Sequence, residues 1–373
     1  MKILITGGAG FVGSHLADVL IEKKHEVFIL DNLDPQVHTN HQFRWPEYLN
    51  KEAHKILGDI RYENCYENLI EEVDVVFHFA AKVGVGQSMY QVRDYVDVNV
   101  TGTAKLLNLL VNKKHHVKKL IIASSMSNYG EGLYKDDFGE DEGGFIQYQD
   151  VTRSEEQLKN REWNPIGLTP LPTPENKILE SQSIYALTKK MQEEMCLTIG
   201  KAYNIPTVAL RFFNIFGTRQ SLSNPYTGVV AIFCSRLLND KAPLIYEDGK
   251  QIRDFVHVRD ICQACVLAME KDEANYEVFN VGSGSPIEIK EIASIVAKKM
   301  GKDIEPEITN NYRVGDIRHC FSNNSKIVSK LGYEPQYNIR DDIDDLITWV
   351  KKQVAEDKID EVYSEMKKLG VVI

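Results

Sequence analysis

The most constraining feature of this chain is a short apolar run that leads directly into a glycine-rich turn. Residues 3–5 have the pattern of a buried strand, 6–13 read Thr-Gly-Gly-Ala-Gly-Phe-Val-Gly, and a helical pattern opens at Ser14. Glycines at this spacing allow a tight turn, close approach to a pyrophosphate and close packing of helix on strand. The helix N-terminus also favours an anion. The turn therefore predicts a dinucleotide site at Gly7, Gly10, Phe11, Val12 and Gly13.

Further short apolar runs alternate with stretches of helical spacing, such as 14–24 and 98–112. Runs of this kind indicate strands that crossover helices bury on both faces. The alternation predicts an α/β fold, a Rossmann doubly wound parallel sheet with a smaller C-terminal substrate-binding domain. The candidate buried strands after the first are 27–30, 55–57, 75–79 and 120–123.

We predict two domains. Residues 1–210 are expected to form the dinucleotide-binding domain, with an insertion at 131–180 and a returning segment near 250–282, while 211–373 form mainly the substrate-binding domain. The insertion is acidic, rich in glycine and then in proline, which is typical of a lid, a small added unit or a disordered loop. Apolar residues at helical spacing within 350–373 predict a helix that caps its own domain.

Composition argues against several classes of protein. The chain has 373 residues, 44 Lys+Arg against 54 Asp+Glu, a net charge of -10 and no basic block, so we expect no nucleic-acid partner. It lacks the run of about 18 apolar residues that a bilayer span needs, and we expect neither a membrane partner nor a secretion signal. Six scattered cysteines favour a cytoplasmic location, and Cys262 and Cys265 lie in a helical stretch as buried thiols.

The cofactor predicted by the turn is NAD. Asp31 ends the second strand, where a carboxylate can bind the adenosine ribose hydroxyls and would repel the 2′-phosphate of NADP. The further positions expected to contact NAD lie mostly at strand ends and are Asn32, Asp59, Ile60, Phe79, Ala80, Ala81, Lys82, Asn99 and Ser124.

Tyr185 and Lys189 lie one turn apart on a predicted helix. The same spacing recurs elsewhere in the chain, so spacing alone does not identify Tyr185 as a catalytic residue. Its place in the chain does: it lies one βα unit after Ser125, whose hydroxyl is expected at a strand end near the nicotinamide. An ammonium and an oxidised nicotinamide would both lower the pKa of the tyrosine, giving a phenolate that accepts a proton from a sugar hydroxyl. The alternative is an ordinary surface helix.

These motifs resemble those of the extended short-chain dehydrogenase/reductases that act on nucleotide sugars, and the resemblance covers nearly the whole chain. Within that family the chain is most similar to dTDP-L-rhamnose 4-epimerase-like proteins, through the stretches 31–38, 83–90, 220–228 and 315–320. The resemblance implies that Ser125 bridges substrate and Tyr185, the acid/base. It also implies that Ser127 contacts substrate and that Lys189 binds the nicotinamide ribose.

The resemblance also implies the residues that bind the substrate diphosphate. Asn214 and Arg253 lie in the matching segments, and Arg313 and Asp316 lie in another, with Arg318 a weaker candidate. A guanidinium donates two parallel hydrogen bonds to such an anion. Family members imply a homodimer formed by helices near 94–112 and 184–203, where the apolar spacing is equally explained by core burial.

The chain departs from the family pattern in two places, one that bears on the type of reaction and one that bears on metal binding. Dehydratases of this superfamily carry an Asp-Glu pair after the hydroxyl residue, whereas Met126 and Ser127 occupy those positions here. Relatives also carry cysteine pairs in the region matching 131–180, which suit zinc. This chain has no cysteine between Cys65 and Cys196, so we predict no metal.

The first functional hypothesis, which rests on the resemblance, is an NAD-dependent nucleotide-sugar 4-epimerase, an isomerase that converts dTDP-L-rhamnose to dTDP-6-deoxy-L-talose. C4 hydride abstraction gives a 4-keto intermediate, and hydride return to the other face gives the epimer. The second is a 4- or 2-epimerase of a UDP- or CDP-sugar. The third is a non-catalytic NAD-binding protein, against which the set Ser125, Tyr185 and Lys189 argues.

Overall fold

The computed structural model describes residues 1–38, 44–141, 144–148 and 151–373. The strands are β1 (Lys2–Thr6), β2 (Glu26–Asp31), β3 (His54–Leu57), β4 (Val75–His78), β5 (Lys119–Ser125), β6 (Leu133–Asp141), β7 (Gly144–Tyr148), β8 (Leu168–Leu171), β9 (Thr207–Phe212), β10 (Asn214–Phe216), β11 (Leu244–Ile245), β12 (Ile252–His257), β13 (Val278–Val281), β14 (Pro286–Glu288), β15 (Glu307–Ile308) and β16 (His319–Cys320). The α-helices are α1 (Phe11–Glu22), α2 (Glu67–Ile70), α3 (Val85–Ser88), α4 (Val92–Tyr95), α5 (Gly102–Asn112), α6 (Glu155–Lys159), α7 (Ile184–Ala202), α8 (Val229–Leu238), α9 (Val258–Glu270), α10 (Ile289–Met300), α11 (Ser325–Leu331), α12 (Asp344–Val350) and α13 (Ile359–Lys368), and a π-helical segment, Val96–Thr101, joins α4 to α5.

A parallel sheet of seven strands forms the centre, in the order β13-β9-β5-β4-β1-β2-β3. The chain runs outward from β1 through β2 and β3, then returns to the other side of β1 and continues outward from β4. Ligands of such sheets bind where the strand order reverses, outside the carboxyl ends of the strands. The predicted doubly wound sheet is confirmed, and its crevice lies between β1 and β4.

Alternation along each strand distributes side chains between two helical layers. Ile3 and Ile5 pack with α1 and α9 on one face, while Leu4 packs with α5 and α7 on the other. Successive strand residues point to opposite faces, so a strand covered on both sides is apolar throughout. Each fully buried Leu or Ile contributes about 1.5–3 kcal/mol relative to an exposed one.

The prediction of a buried strand at 55–57 was wrong in one respect. These residues do form β3, but Lys55 and Leu57 are exposed and Ile56 is only half-buried. β3 lies at the end of the sheet order, next to β2. An edge strand exposes more of its surface to solvent, and a charged lysine there limits pairing with other chains.

The insertion at 131–180 contains a three-stranded antiparallel sheet in the order β7-β6-β8. Tyr134 in β6 is fully buried, and Arg153 forms an ion pair of 2.7 Å with Glu247 in the following half of the chain. Both partners of that pair are almost completely buried. The insertion is therefore a small folded unit packed against the rest of the chain, and its residues 142–143 and 149–150 lie outside the described residues.

A second sheet lies after residue 210. β12 pairs with β10, β14 and β16, and the core beneath includes residues of α8, α10 and α12. The chain also returns to the large sheet, because β13 pairs with β9 and α9 packs against α1. The domain limits given above stay a prediction.

Two general findings concern the described residues alone. No helix among them has both the length and the apolar character needed to cross a membrane. Within the same residues, no cluster of three or more His, Cys, Asp or Glu side chains is arranged to hold a metal ion.

Cys262 and Cys265 are buried, and burial raises the pKa of both thiols, as expected of structural cysteines.

Candidate active site

The glycine turn lies directly after β1 and approaches other backbone too closely for side chains. Gly7 has a φ of +70°, and a Cβ there would lie 2.9 Å from the Ala80 nitrogen. A Cβ on Gly13 would lie 2.5 Å from the Gly7 carbonyl oxygen. Gly10 caps α1 without a side-chain hydrogen bond, so the first N–H groups of the helix remain available to an anion. This cradle fits the pyrophosphate of NAD.

Asp31, at the end of β2, is buried and bonded to the backbone around it. One carboxylate oxygen accepts the Ala9 N–H at 3.0 Å and the other accepts the Leu33 N–H at 2.9 Å. Burial raises the pKa of Asp31, and these two hydrogen bonds oppose the shift. Asp31 therefore braces the glycine turn from the position where the sequence predicts a ribose contact.

The next strand end carries a charged cluster. Asn32 donates to Asp59 at 2.9 Å, and Arg61 bridges Asp59 and Asp97 at 2.8 Å each. Burial opposes ionisation of Asp59, but the hydrogen bonds from Arg61 and Asn32 outweigh it and lower the pKa. The carboxylate is therefore charged and already paired.

A cavity of about 760 Å³ runs along the carboxyl ends of β1, β2, β4 and β5 and continues into the second half of the chain. Except for Asn99 and the weaker candidate Arg318, all of the predicted site residues line it. They are Gly7, Gly10, Phe11, Val12, Gly13, Asp31, Asn32, Asp59, Ile60, Phe79, Ala80, Ala81, Lys82, Ser124, Ser125, Ser127, Tyr185, Lys189, Asn214, Arg253, Arg313 and Asp316.

Asn99 is one of the two predicted site residues that do not line the cavity. It is fully buried, accepts the Lys82 N–H at 2.7 Å and donates to the Lys82 carbonyl at 3.1 Å and to Thr188 at 3.0 Å. Asn99 therefore holds the loop after β4 against α7, which positions a wall of the cavity.

Ser125 and Tyr185 meet at the end of β5. Tyr185 lies in the first turn of α7, which the Ser183 side chain caps by accepting the Ala186 N–H at 3.1 Å. The Ser88 hydroxyl accepts the Tyr185 N–H at 3.0 Å, and Ser127 donates to the Ser125 hydroxyl at 2.8 Å. These contacts hold the first turn of α7, with Tyr185, and the Ser125 hydroxyl in place at the end of β5.

The pKa of Tyr185 differs from the expectation. Burial raises it, and the Ser125 hydrogen bond is the influence that lowers it. Lys189 was expected to lower it, but the Lys189 ammonium donates to Gln192 at 2.5 Å, and burial lowers its own pKa to about 8. The Ser125 hydroxyl is therefore one group that favours the phenolate of this buried tyrosine.

A buried polar layer behind these residues was not predicted. Gln192 also donates to Thr103 at 2.8 Å, and Glu193 accepts from Ser124 at 2.5 Å and pairs with Arg211 at 2.5 Å. Glu193 lies on the same face of α7 as Tyr185 and Lys189, one turn further along, so helical periodicity could have found it. Arg211 is on β9 and no local spacing indicates it.

Two arginines line the second half of the cavity. Arg253 donates to the backbone carbonyls of Ile252, Ile317 and Arg318, at 2.6–2.9 Å. Arg313 donates to Asp316 at 2.7 Å, and its guanidinium lies 4.6 Å from the centre of the Tyr246 ring. Both guanidinium groups are therefore held in place.

Arg318 does not share this position. It is completely buried, pairs with Glu247 and Asp248 at 2.7 Å each, and does not line the cavity. The prediction that Arg318 could bind an anion was wrong, because these two carboxylates already neutralise it.

Three loops that contain distinctive sequence motifs meet over the cavity. Gln36 and Gln87 exchange two side-chain hydrogen bonds, at 2.8 and 3.0 Å, and Gln36 also donates to Asn224 at 3.3 Å. The Tyr95 hydroxyl donates to Gln87 at 3.0 Å. All of these except Tyr95 line the cavity. We call Gln36, Gln87 and Asn224 the amide latch; the sequence analysis did not single them out.

Comparisons with known proteins agree with this arrangement. The family described as the NAD dependent epimerase/dehydratase family matches residues 3–148 and 167–282. A dTDP-L-rhamnose 4-epimerase of Burkholderia thailandensis is 33% identical, over 95% of this chain and 96% of its own.

Two solved structures are similar over almost the whole chain. UDP-glucose 4-epimerase of Thermotoga maritima with UDP-glucose is 30% identical, covers 94% of this chain and 99% of its own, and has a TM-score of 0.75. UDP-glucuronic acid 4-epimerase of Bacillus cereus with UDP-glucuronic acid and NAD is 27% identical, covers 94% and 99%, and has a TM-score of 0.73.

Proposed function

The chain belongs to the NAD-dependent epimerase/dehydratase family and is an isomerase that uses NAD, and we propose that it interconverts the C4 epimers of a nucleotide sugar. The substrate we propose is dTDP-L-rhamnose, and the product is dTDP-6-deoxy-L-talose. The observation that carries the proposal is one continuous cavity that holds Ser125, Tyr185 and Lys189 at one part and Arg253 and Arg313 at another.

The residues that would hold NAD are the glycine turn, Asp31 and Lys189. When bound, NAD supplies the acceptor for the hydride of C4, leaving a 4-keto sugar, and returns that hydride to the opposite face of the ring. The chain itself provides the cradle for the pyrophosphate, as the close approaches at Gly7 and Gly13 indicate. The turn passes so close to neighbouring backbone at Gly7 and Gly13 that it leaves no room for side chains there, while the pyrophosphate can still approach it.

Tyr185 transfers the proton, and Ser125 assists it. The Tyr185 phenolate accepts the proton of the C4 hydroxyl as the carbonyl forms, and returns it to the C4 oxygen as the carbonyl is reduced. Ser125 stabilises the phenolate, since its hydrogen bond lowers the pKa of Tyr185 against the effect of burial. The proton balance closes over one turnover, so no second substrate is consumed.

Arg253, Arg313 and Asn214 hold the diphosphate in this proposal. Asn214 would donate to the diphosphate through its amide nitrogen, while its buried Oδ1 atom, which has no hydrogen-bond partner among the described residues, can only accept from a ligand donor such as a hydroxyl. With the diphosphate held, the sugar can rotate about its linkage and present either face of C4. The equilibrium constant is expected near unity, because substrate and product differ at one stereocentre.

A dehydratase reaction fits the site less well. Met126 is buried among apolar neighbours where dehydratases carry an acid, and Ser127 hydrogen-bonds Ser125. Neither side chain can serve as the acid and base that elimination of water requires. A UDP- or CDP-sugar remains the second candidate substrate, since the motifs do not determine the base or the sugar.

The test is Tyr185→Phe, with Tyr203→Phe as its matched control. Tyr203 follows the same helix but is half exposed, so its variant should behave as wild type. We expect Tyr185→Phe to lose at least about 100-fold in kcat while it still binds the nucleotide sugar in a calorimeter. Unchanged turnover would remove Tyr185 from the mechanism. A dTDP-, UDP- and CDP-sugar panel assayed with wild type identifies the substrate.

We also propose a homodimer in which α4, the π-helical segment and α7 face a second copy. These helices pack side by side, with the rings of Tyr95 and Tyr185 6.4 Å apart. Val92, Val96, Leu187 and Met191 on them are 38–45% exposed. Burying such a patch in a dimer would remove apolar surface from water.

For location we propose the cytoplasm. The state of the cysteines supports this location: all six are free thiols, and five of them are buried. Free thiols persist in a reducing compartment.

A further inference from the structure

The C-terminal residues 359–373, which we call the C-terminal strap, cross the cavity. Ile373 exchanges two backbone hydrogen bonds of 2.9 Å with Tyr312, and the Val314 N–H donates to the Val371 carbonyl at 2.9 Å. At the other end of the strap, Asp360 pairs with Arg236 at 2.7 Å. The strap therefore lies beside Arg313, fixed at both ends.

The strap contributes apolar side chains to the cavity. Ile359, Val362 and Met366 line it, at the spacing of one helical face. Val362 and Met366 are buried, and the residues that pack around them come from both halves of the chain: Met89, Tyr90, Tyr226, Tyr246 and Tyr363. The helix α13 thus does more than cap its own domain, which was the prediction.

Met366 packs against Gly86 in the wall of the cavity, close to Arg313. A Cβ placed on Gly86 would lie 3.1 Å from the Met366 sulfur and 3.8 Å from Nη1 of Arg313. Two residues further along the chain, the Ser88 hydroxyl accepts the Tyr185 N–H at 3.0 Å. A sugar whose diphosphate is held at Arg313 begins beside Gly86, and Met366 is the side chain packed there.

The charges around the cavity do not favour an acidic sugar. Every lysine and arginine that lines it has a protein partner within the described residues, and the two arginines among them that the proposal assigns to the diphosphate, Arg253 and Arg313, are taken up by that group. The pairs are Arg61 with Asp59 and Asp97, Lys82 with Asp94, Lys189 with Gln192, Arg219 with Asp18, Arg313 with Asp316, and Arg253 with three backbone carbonyls. A carboxylate at C6 that passed Met366 would lose water without gaining a cation.

We propose that Met366, supported by Val362, is a specificity-determining residue: its thioether forms an apolar wall that accepts an uncharged sugar, such as a 6-deoxy sugar with a methyl group, and excludes a uronate. This inference rests on the proposed function, since it takes the sugar to span Arg313 and Tyr185. It makes the C-terminal strap part of the substrate site.

The test uses the full-length, NAD-loaded protein and the variant Met366→Lys, with Leu369→Lys as matched control. Leu369 lies just after the same helix, is exposed and does not line the cavity. The probes are dTDP-glucose and dTDP-glucuronate, which differ only at C6, with binding measured by calorimetry. We expect wild type and Leu369→Lys to favour dTDP-glucose. Met366→Lys should bind dTDP-glucuronate at least about tenfold more tightly than wild type does.

Turnover of dTDP-L-rhamnose gives an independent readout. Met366→Lys and the milder Met366→Gln should raise KM about tenfold with kcat changed less than about threefold, and Met366→Leu should restore KM. Equal preference for the two probes in wild type and in Met366→Lys, with Tm and NAD content normal, would overturn the proposal. If wild type binds the probes but epimerises no sugar, the proposed function fails, while the binding preference still decides the role of Met366.

Discussion

At the scale of single residues, the contact between Ser125 and Tyr185 is central to the proposed chemistry. Burial raises the pKa of the phenol, and this hydrogen bond lowers it. The lysine, which sequence reasoning places as the group that tunes the tyrosine, donates instead to Gln192. Ser125 is therefore expected to make Tyr185 a better base.

Replacing Ser125 by alanine tests this dependence. Because the hydrogen bond lowers the pKa of Tyr185, its loss raises that pKa, so the phenolate forms only at higher pH. We expect the rising limb of kcat/KM against pH to move to higher pH, and kcat at neutral pH to fall by about 100-fold or more. Ser329→Ala, at an exposed hydroxyl far from the cavity, is the control. A pH profile in Ser125→Ala that coincides with wild type would contradict this role.

Single residues also show how far sequence reasoning reaches. The glycine turn, Tyr185 and Lys189 were predictable because each lies in a local pattern with a physical meaning. Arg318 shows the limit. It shares the motif context of Arg253 and Arg313, but its charge is neutralised by Glu247 and Asp248, which are distant in sequence. No spacing rule separates an arginine that faces a cavity from one that is buried in an ion-pair cluster.

At the scale of elements, the amide latch joins the loops after β2 and β4 to the segment between β10 and α8. Gln36 and Gln87 each donate to and accept from the other, so removing either one breaks both hydrogen bonds. Since all three latch residues line the cavity, the latch is expected to slow release of the cofactor. An epimerase that regenerates its cofactor at each turnover has no need to release it.

The latch predicts a specific pattern of mutational effects. Gln36→Ala and Gln87→Ala should each speed NAD release about fivefold, the effect of losing about 1 kcal/mol, and the double variant should be faster than either by much less than a further fivefold, since the two hydrogen bonds between the glutamines are lost in both single variants. The rate is measured by diluting loaded protein into an NAD trap. Gln263 lies on α9 and its side-chain amide donates to the Glu334 carbonyl, so Gln263→Ala should leave the rate unchanged. Additive effects of the two substitutions would show that they do not act as a pair.

Elements differed in how well the sequence predicted them. The buried strands β1, β2, β4 and β5 were found because continuous apolar runs mark them. β3 was found as a strand but not as an edge, since burial depends on which strands neighbour it. The sheet of β6, β7 and β8 was not predicted, because its acidic and glycine-rich sequence lacks a clear period of two, and its core forms against Glu247 and other distant residues.

At the scale of the whole molecule, an acidic chain binds an anion by placing a few cations at one site. The net charge of -10 repels a diphosphate at long range. Arg253 and Arg313 oppose this locally, because carbonyls and Asp316 hold both guanidinium groups in position. Raising the salt concentration screens the long-range repulsion more than these short contacts.

The proposed dimer is also a property of the whole molecule. Replacing both Leu187 and Met191 by glutamate puts charge into the exposed apolar patch, so sedimentation should show a monomer where wild type is a dimer. Val354→Glu, at a position that is 90% exposed and away from these helices, should leave the dimer intact. A wild-type protein that sediments as a monomer at micromolar concentration would contradict the proposal.

The most direct test of the central claim is to incubate the purified protein with dTDP-L-rhamnose in D₂O, with no NAD added, and to follow the C4 and C5 proton signals by NMR. The account predicts conversion to the C4 epimer with no deuterium at any carbon, because retained NAD returns the same hydride that it accepted. Deuterium at C4 or C5, or no conversion of any nucleotide sugar by folded, NAD-loaded protein, would contradict it.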